Sequence, residues 1–463
     1  MSGKTYKIGT LTYTFRALCV MFLWMLGGAM IWTVAGTMFR KATPFILRDN
    51  GMSDTFIVLL MGTVYSLMNM IMNPILSFNS DRCRSRLGRR RPFILYTAIP
   101  MSLALAAIPF YPYLAGLFPN ASICGVSLAQ ILFFFGGVMY FFFSLFIGAI
   151  YFYLIPDVVP VELMGRFYSL FRVSGVLAVI VVNKFIFKHS IAHPQIVFPL
   201  VAIIYCVAIT AMCLFVKEGD YPDPGKLPPR TAWYVRLGNS VKNYAKECFC
   251  EKYYWWFYFV GLAAGLASCV SVFEDFFYKD ACNMTVEQIG NLGMYIGIVS
   301  FVSCLAAGYL ADKFGAIQTQ IAALFLMALL YICGGLFIKD YTSALLWRSP
   351  YMFFNAIYSV AAGKVLVEVY PRSRFGQFSS ARVMFCSLIV ALINYPVGKF
   401  SDFLKAAKPG DSLICFGFDL MPYLRGYRFV NYWFALCYAV SMLCLLYFYW
   451  HYHRHRKDKA VDL

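Results

Sequence analysis

Apolar residues in this chain gather into twelve runs, each close to the ~20 residues that cross a bilayer as helix. They lie near 17–39, 55–77, 93–115, 127–154, 167–188, 196–216, 255–278, 289–311, 317–338, 344–369, 377–400 and 429–450. With the N-terminus inside, an even number of crossings returns the tail inside. The tail from His451 to Leu463 is basic, which agrees with a positive-inside orientation. The one long cytoplasmic link, Lys217 to Tyr254, is rich in proline at first and basic afterwards. It divides the chain into a six-helix half over 1–216, a linker over 217–254 and a second six-helix half over 255–463. The other long loop, Ser401 to Arg428, falls outside, before helix 12. The pattern predicts an all-α membrane protein built from two pseudo-symmetric halves. Residues 1–16 are polar and basic, and the first apolar run lacks a small-residue cleavage site, so it is read as a retained helix 1.

An internal repeat supports the division. Near the end of helix 4 the chain reads Asp157-Val-Val-Pro160, then Gly165-Arg-Phe167-Tyr-Ser169. Near the end of helix 10 it reads Glu368-Val-Tyr-Pro371, then Gly376-Gln-Phe378-Ser-Ser380, in register and 211 residues later. A second echo pairs Ser80-Asp81-Arg82 with Ala311-Asp312-Lys313, followed by Gly88 and Gly315 respectively.

Composition narrows the class. At 61% hydrophobic and 13% charged residues, the chain is excluded from soluble globular proteins, which carry about a quarter charged residues. A net charge of +18 would point to nucleic acid in a soluble chain. Here the cations sit in loops, so the bilayer is the expected partner and no nucleic acid is. Of the cysteines, Cys124, Cys282 and Cys415 fall in outer loops, with no disulfide indicated. Asn120 and Asn283 head glycosylation sequons in outer loops. His451, His453 and His455 read as a solvated basic tail near anionic lipid rather than a metal site. No metal or cofactor is expected.

The densest charge lies between runs 2 and 3, where residues 79–94 hold six arginines and Asp81. Such a stretch cannot rest in hydrocarbon, because each centred arginine costs at least ~3 kcal/mol. It is therefore a tight cytoplasmic turn, with Gly88 allowing the bend and Pro92 starting the next helix. The stretch resembles the loop between helices 2 and 3 of major facilitator transporters. It is very similar to the version in plant sucrose–proton symporters and their animal relatives, where Ser-Asp-Arg-Cys leads through Arg-x-Gly to Arg-Arg-Arg-Pro-Phe-Ile. The resemblance implies a twelve-helix fold, alternating access, and a motif (Asp81, Arg82, Arg86, Gly88, Arg89, Arg90) that works at the cytoplasmic gate. It also implies that the motif aspartate, with Asp312 as its echo, favours the positive N-terminal end of a helix, 11 and 5 respectively.

Arg172, Lys364 and Arg382 are read as the basic residues inside spans, and such residues are functional candidates by default. Asp157 and Glu368 lie nearest to Arg172 and Arg382, and ion pairs between them are expected to close the gate. Glu274 and Asp275, near the outer end of helix 7, are the remaining carboxylates able to carry a coupling ion, proton or sodium. For the substrate, Trp32, Tyr65, Asn69, Tyr140, Asn291, Tyr295, Asn355, Tyr358 and Lys364 offer amide, hydroxyl, aromatic and cationic groups. That mixture suits a sugar or glycoside, although Asn and Tyr also serve as interhelical glue.

The sequence departs from the plant symporters on helix 4, where Phe141 and Phe152 replace an aspartate and an arginine. The family's coupling residues therefore do not carry over, and the wider resemblance is to glycoside–pentoside–hexuronide:cation symporters. The expected protein is a monomeric symporter in a cell membrane, plasma or bacterial inner, with both termini cytoplasmic. A carrier of small organic anions, or a non-transporting protein on the same fold, is the alternative. A membrane enzyme would need a nucleophile, metal cluster or paired acids at one membrane face, and the sequence shows no such set.

Overall fold

A computed structural model describes residues 5–8, 10–119, 121–123, 125–219, 248–250, 252–370, 375–407, 412–415 and 418–453. The chain divides into two compact units, Met1–Gly225 and Lys226–Leu463. In the first unit the helices are α1 (Phe15–Asp49), α2 (Asp54–Val58 and Tyr65–Arg82, joined by the π-helical Leu59–Val64) and α3 (Arg91–Ala107, 3-10 Ile108–Phe110, then Tyr111–Gly116). They are followed by α4 (Leu128–Val158), α5 (Met164–Val181, π-helical Val182–Ile186, then Phe187–Ala192) and α6 (Pro194–Phe215). The second unit holds α7 (Lys252–Leu266, 3-10 Ala267–Phe273, then Glu274–Asp280), α8 (Val286–Phe314) and α9 (Ala316–Phe337). It ends with α10 (Tyr341–Val369), α11 (Phe375–Ala406) and α12 (Phe429–Phe448). Each predicted run falls on one of these helices. Ten helices among the described residues are long and apolar enough to cross a membrane.

Polar residues set the helix starts. Ser127 and Gln130 form a reciprocal capping box on α4, Thr285 and Gln288 do so on α8, and Asp340 with Ser343 does so on α10. Inside each unit the helices pack through small residues and aromatics, as expected where lipid leaves no hydrophobic drive between helices. Trp32, for instance, comes within 3.1 Å of the place a Cβ on Gly148 would occupy, so α1 and α4 approach closely there.

Two boundaries differ from the expectation. Helix 1 was expected to stop at 39, where Arg40 and Lys41 end the apolar run. It continues to Asp49, through Pro44, which makes it about 50 Å long at 1.5 Å per residue. Helix 7 is expected as one run but is interrupted by seven residues of 3-10 helix ahead of Glu274. The indole of Trp433 on α12 donates to the Leu266 carbonyl at 2.9 Å, at the start of that interruption. Cys282 is a free, buried thiol facing the Ile338 carbonyl, and Cys124 lies outside the described residues.

Candidate functional site

Two charged constellations stand out, one in each unit. The first is built where the chain passes from α2 to α3. Gly88 adopts φ +104, a value that favours glycine, and its N–H donates to the Ser85 carbonyl at 3.0 Å to close the turn. The next three residues present their backbone N–H groups outward, as the first turn of any helix must. A single carboxylate, Glu218 just beyond α6, accepts all three. Arg89 donates to Oε2 at 2.9 Å, Arg91 to Oε1 at 2.8 Å, and Arg90 to both oxygens at 3.0 and 3.1 Å. No local side chain caps α3; this distant acid does so, and its charge suits the positive end of the helix.

The three arginine side chains then turn to different partners. Arg89 grips Asp157 of α4 as a fork, Nε to Oδ2 at 2.9 Å and Nη2 to Oδ1. Arg90 reaches the same carboxylate at 3.4 Å, bonds Ser80 through Nη1, and lies over the Tyr153 ring at 5.2 Å. Arg91 donates to the carbonyls of Cys213 and Leu214 at 2.6 and 3.4 Å. It thereby serves carbonyls left open at the end of α6. Asp157 is only 10% exposed and Arg90 7%, so this network is largely dry and its charge-assisted bonds are strong.

The second constellation surrounds Arg348 on α10, whose side chain is fully buried. Its Nε donates to the Tyr278 hydroxyl at 2.6 Å and its Nη2 to Asn431 Oδ1 at 2.5 Å. Nη2 also lies 3.5 Å from Glu274 Oε1. The guanidinium sits over the Tyr331 ring at 4.2 Å, a cation–π contact in a desolvated place. Glu274 in turn accepts from Tyr278 at 3.2 Å and Tyr331 at 3.5 Å. Tyr351 and Tyr438 share a hydrogen bond at 3.2 Å beside Tyr331. Four helices, α7, α9, α10 and α12, thus meet on one arginine and one carboxylate.

The sequence-predicted residues distribute unevenly over these sites. Gly88, Arg89, Arg90 and Asp157 come together, but the partner expected for Asp157 is corrected. Its contacts run to Arg89 and Arg90, while Arg172 is exposed on α5. Arg86 is exposed in the turn. The side chains of Asp81, Arg82, Asp312 and Glu368 lie outside the described residues. Arg382 is half-buried with its Nε unpaired, close against Gly261 of α7. Of the two expected ion carriers, Glu274 enters the Arg348 network and Asp275 is half-buried beside it.

Among the expected substrate residues, Tyr65 and Tyr295 are exposed, and Trp32, Asn69, Asn291, Asn355, Tyr358 and Lys364 are half-buried. Tyr140 is a correction. It is buried, with its ring stacked on Phe39 at 3.7 Å, and so packs α4 on α1. Two residues are missed by sequence reasoning. Arg348 lies inside the run 344–369 yet was passed over among the membrane cations, although an arginine there is itself the signal. Glu218 carries no local signal, because its partners are backbone groups far away in the chain.

Gly88→Ala is expected to disturb the first site twice. A Cβ there would lie 2.7 Å from Glu218 Cδ, so the carboxylate must leave the N–H groups it caps. Alanine in the left-handed region also costs about 1–2 kcal/mol. The purified variant should melt at a lower temperature than the unaltered chain.

The Major Facilitator Superfamily model matches residues 17–394. Mouse and human Solute carrier family 45 member 3 are each 35% identical over 74 residues, which is 16% of this chain. That match spans only 13% of the length of either relative. A bacterial homologue of the human lysosomal transporter Spinster, inward-facing and occupied, superimposes with a TM-score of 0.68. It is 14% identical, over 96% of this chain and 99% of that one. A nucleoside transporter gives 0.66 at 10% identity, over 93% of this chain and all of that one. A D-xylose–proton symporter gives 0.60 at 14%, over 93% of this chain and 96% of that one. At these identities the structural likeness is one of fold.

Proposed function

The chain belongs to the Major Facilitator Superfamily, and from that premise we propose that this membrane transporter carries a sugar or glycoside with a cation by alternating access. The observation that carries the coupling is Glu274, a carboxylate on a membrane helix held by Arg348, Tyr278 and Tyr331. Protonation cancels its charge and removes the 3.5 Å ion pair, leaving Arg348 on Tyr278 and Asn431. A cation arriving at one acid thus changes how α7 is tied to α9, α10 and α12.

The half-buried and exposed polar groups Trp32, Tyr65, Asn69, Asn291, Tyr295, Asn355 and Tyr358 supply donors, acceptors and aromatic faces suited to sugar hydroxyls and ring faces. The Arg89–Asp157–Arg90 cluster, with its Glu218 cap, serves as part of the cytoplasmic gate. In this reading both termini are cytoplasmic, the protein acts as a monomer, and it resides in the cell membrane. An organic anion is the second reading, favoured by the unpaired buried Nε of Arg382.

Reconstitution into liposomes tests the proposal. A radiolabelled sugar panel should show at least one glycoside accumulating under an inward proton or sodium gradient. Glu274→Gln should abolish gradient-driven accumulation while leaving exchange of that substrate intact. Flat uptake of every sugar, with organic anions entering instead, sinks the sugar reading. Accumulation unchanged in Glu274→Gln sinks the coupling role.

A further inference from the structure

The 211-residue repeat extends beyond the helix ends that first reveal it. On α5 and α11 the same offset superimposes Asn183 on Asn394, Lys188 on Lys399 and Ser190 on Ser401. The two serines are buried alike, and so are the two asparagines, at 4% and 0% exposure. Asn183 Oδ1 and both amide atoms of Asn394 are buried with no hydrogen-bond partner. An amide taken out of water without a partner costs roughly 1–3 kcal/mol. Two such amides at equivalent places of the repeat call for a common explanation.

The contacts of neighbouring residues give the level of each amide along the helix beside it. Phe187, one turn after Asn183 on the same face, meets the Phe45 ring at 5.8 Å and lies under the Lys41 ammonium at 4.7 Å. Asn183 is therefore level with the turn of α1 around Arg40. Pro44 has no N–H, so the Arg40 carbonyl lacks its usual donor there. On the other unit, Cys386 faces the Tyr258 carbonyl, and Val390 packs where Gly265 lacks a side chain. Continuing that register, Asn394 is level with the 3-10 stretch Ala267–Phe273 of α7, which packs on α11. Each asparagine is thus level with a stretch of a neighbouring helix where backbone carbonyls depart from α-helical pairing.

We propose that Asn183 and Asn394 each bind an ordered water molecule, bridging the amide to backbone carbonyls of α1 and α7 respectively. A neutral ligand fits the place of Asn183, and at Asn394, level with the stretch that precedes Glu274, the sodium measurement below separates water from a cation. The cation Lys41 stands within a turn of Asn183, Lys184 follows it directly, and no carboxylate is at hand on α5, which disfavours a metal ion. Buried water with two to four polar partners is an ordinary structural element of proteins.

The test is the order of two substitutions at each site in the full-length protein in lipid nanodiscs. Leucine fills the space and expels the water, leaving the carbonyls unmet; alanine leaves room for a second water. Asn183→Leu and Asn394→Leu should therefore melt several degrees below Asn183→Ala and Asn394→Ala, which should lie close to the unaltered chain. A dry apolar seam gives the reverse order, with leucine at or above the unaltered chain, and overturns the proposal. Stabilisation of the unaltered chain by added sodium, lost in the leucine variants, overturns it in favour of a cation. Should the variants fail to fold, hydroxyl-radical footprinting of the unaltered protein after rapid mixing into 18O water decides. Phe187 and Val390 should take up slowly exchanging 16O label, and absence of label at both would count against bound water.

Discussion

Arg348→Met is expected to lose about 2–3 kcal/mol of stability, below the full range for breaking a buried ion pair from one side because Glu274 is 27% exposed. Methionine follows the side chain out to the place of Nε but lacks the guanidinium that lies over Tyr331. It abandons Glu274, Tyr278 and Asn431 in a place where the guanidinium was fully buried. A large share of the loss comes from Glu274, now a charge held by two phenol donors and by the solvent that reaches it. The double variant Arg348→Met with Glu274→Gln removes that charge and should recover part of the loss. Thermal unfolding of purified protein reads both. Equal melting temperatures for the single variant and the unaltered chain would show that the network contributes nothing to folding.

Asp157→Asn is the second large effect. The amide keeps the shape of the carboxylate but leaves Arg89 and Arg90 as two guanidiniums side by side at a site where Arg90 is 7% exposed. The cost is about 2–3 kcal/mol, below the full buried-pair range because Arg89 is 20% exposed to solvent. Transport per folded molecule, measured in liposomes at matched protein, separates two roles. A gate whose closed state rests on this pair should lose uptake severalfold beyond the loss of folded protein. A static brace should lose only the folded fraction.

Much of this was legible in the sequence, and the remainder failed for identifiable reasons. Hydropathy located the twelve long helices named above because a bilayer demands unbroken apolar length. The end of α1 was misplaced for the same reason: Arg40 and Lys41 interrupt apolarity, yet the backbone continues as helix to Asp49. Glycine, arginine and proline spacing revealed the turn at Gly88. Pattern alone could not reveal which carboxylate its arginines would choose, since long charged side chains reach across 68 residues to Asp157. Glu218 was invisible, because capping by a distant acid leaves no local mark. Glu274 was found by elimination among membrane acids. Its arginine was overlooked near the border of an apolar run, where a cation reads easily as loop.

The interrupted helix α7 has a mechanical meaning. A continuous α-helix transmits a push along its whole length, whereas one with a change of winding yields first at that change. The 3-10 stretch ends at Phe273, and the next residue is Glu274, with Tyr278 one turn further on the same segment. The carboxylate and its phenol therefore travel together as the handle of a short lever. The indole of Trp433 on the Leu266 carbonyl holds the near side of the pivot. In the coupling proposed above, neutralising Glu274 would remove one of the two ties between that lever and Arg348 of α10 and leave the Tyr278 hydroxyl as the other. The expected consequence of ion arrival, on that proposal, is a change in the angle of the lever.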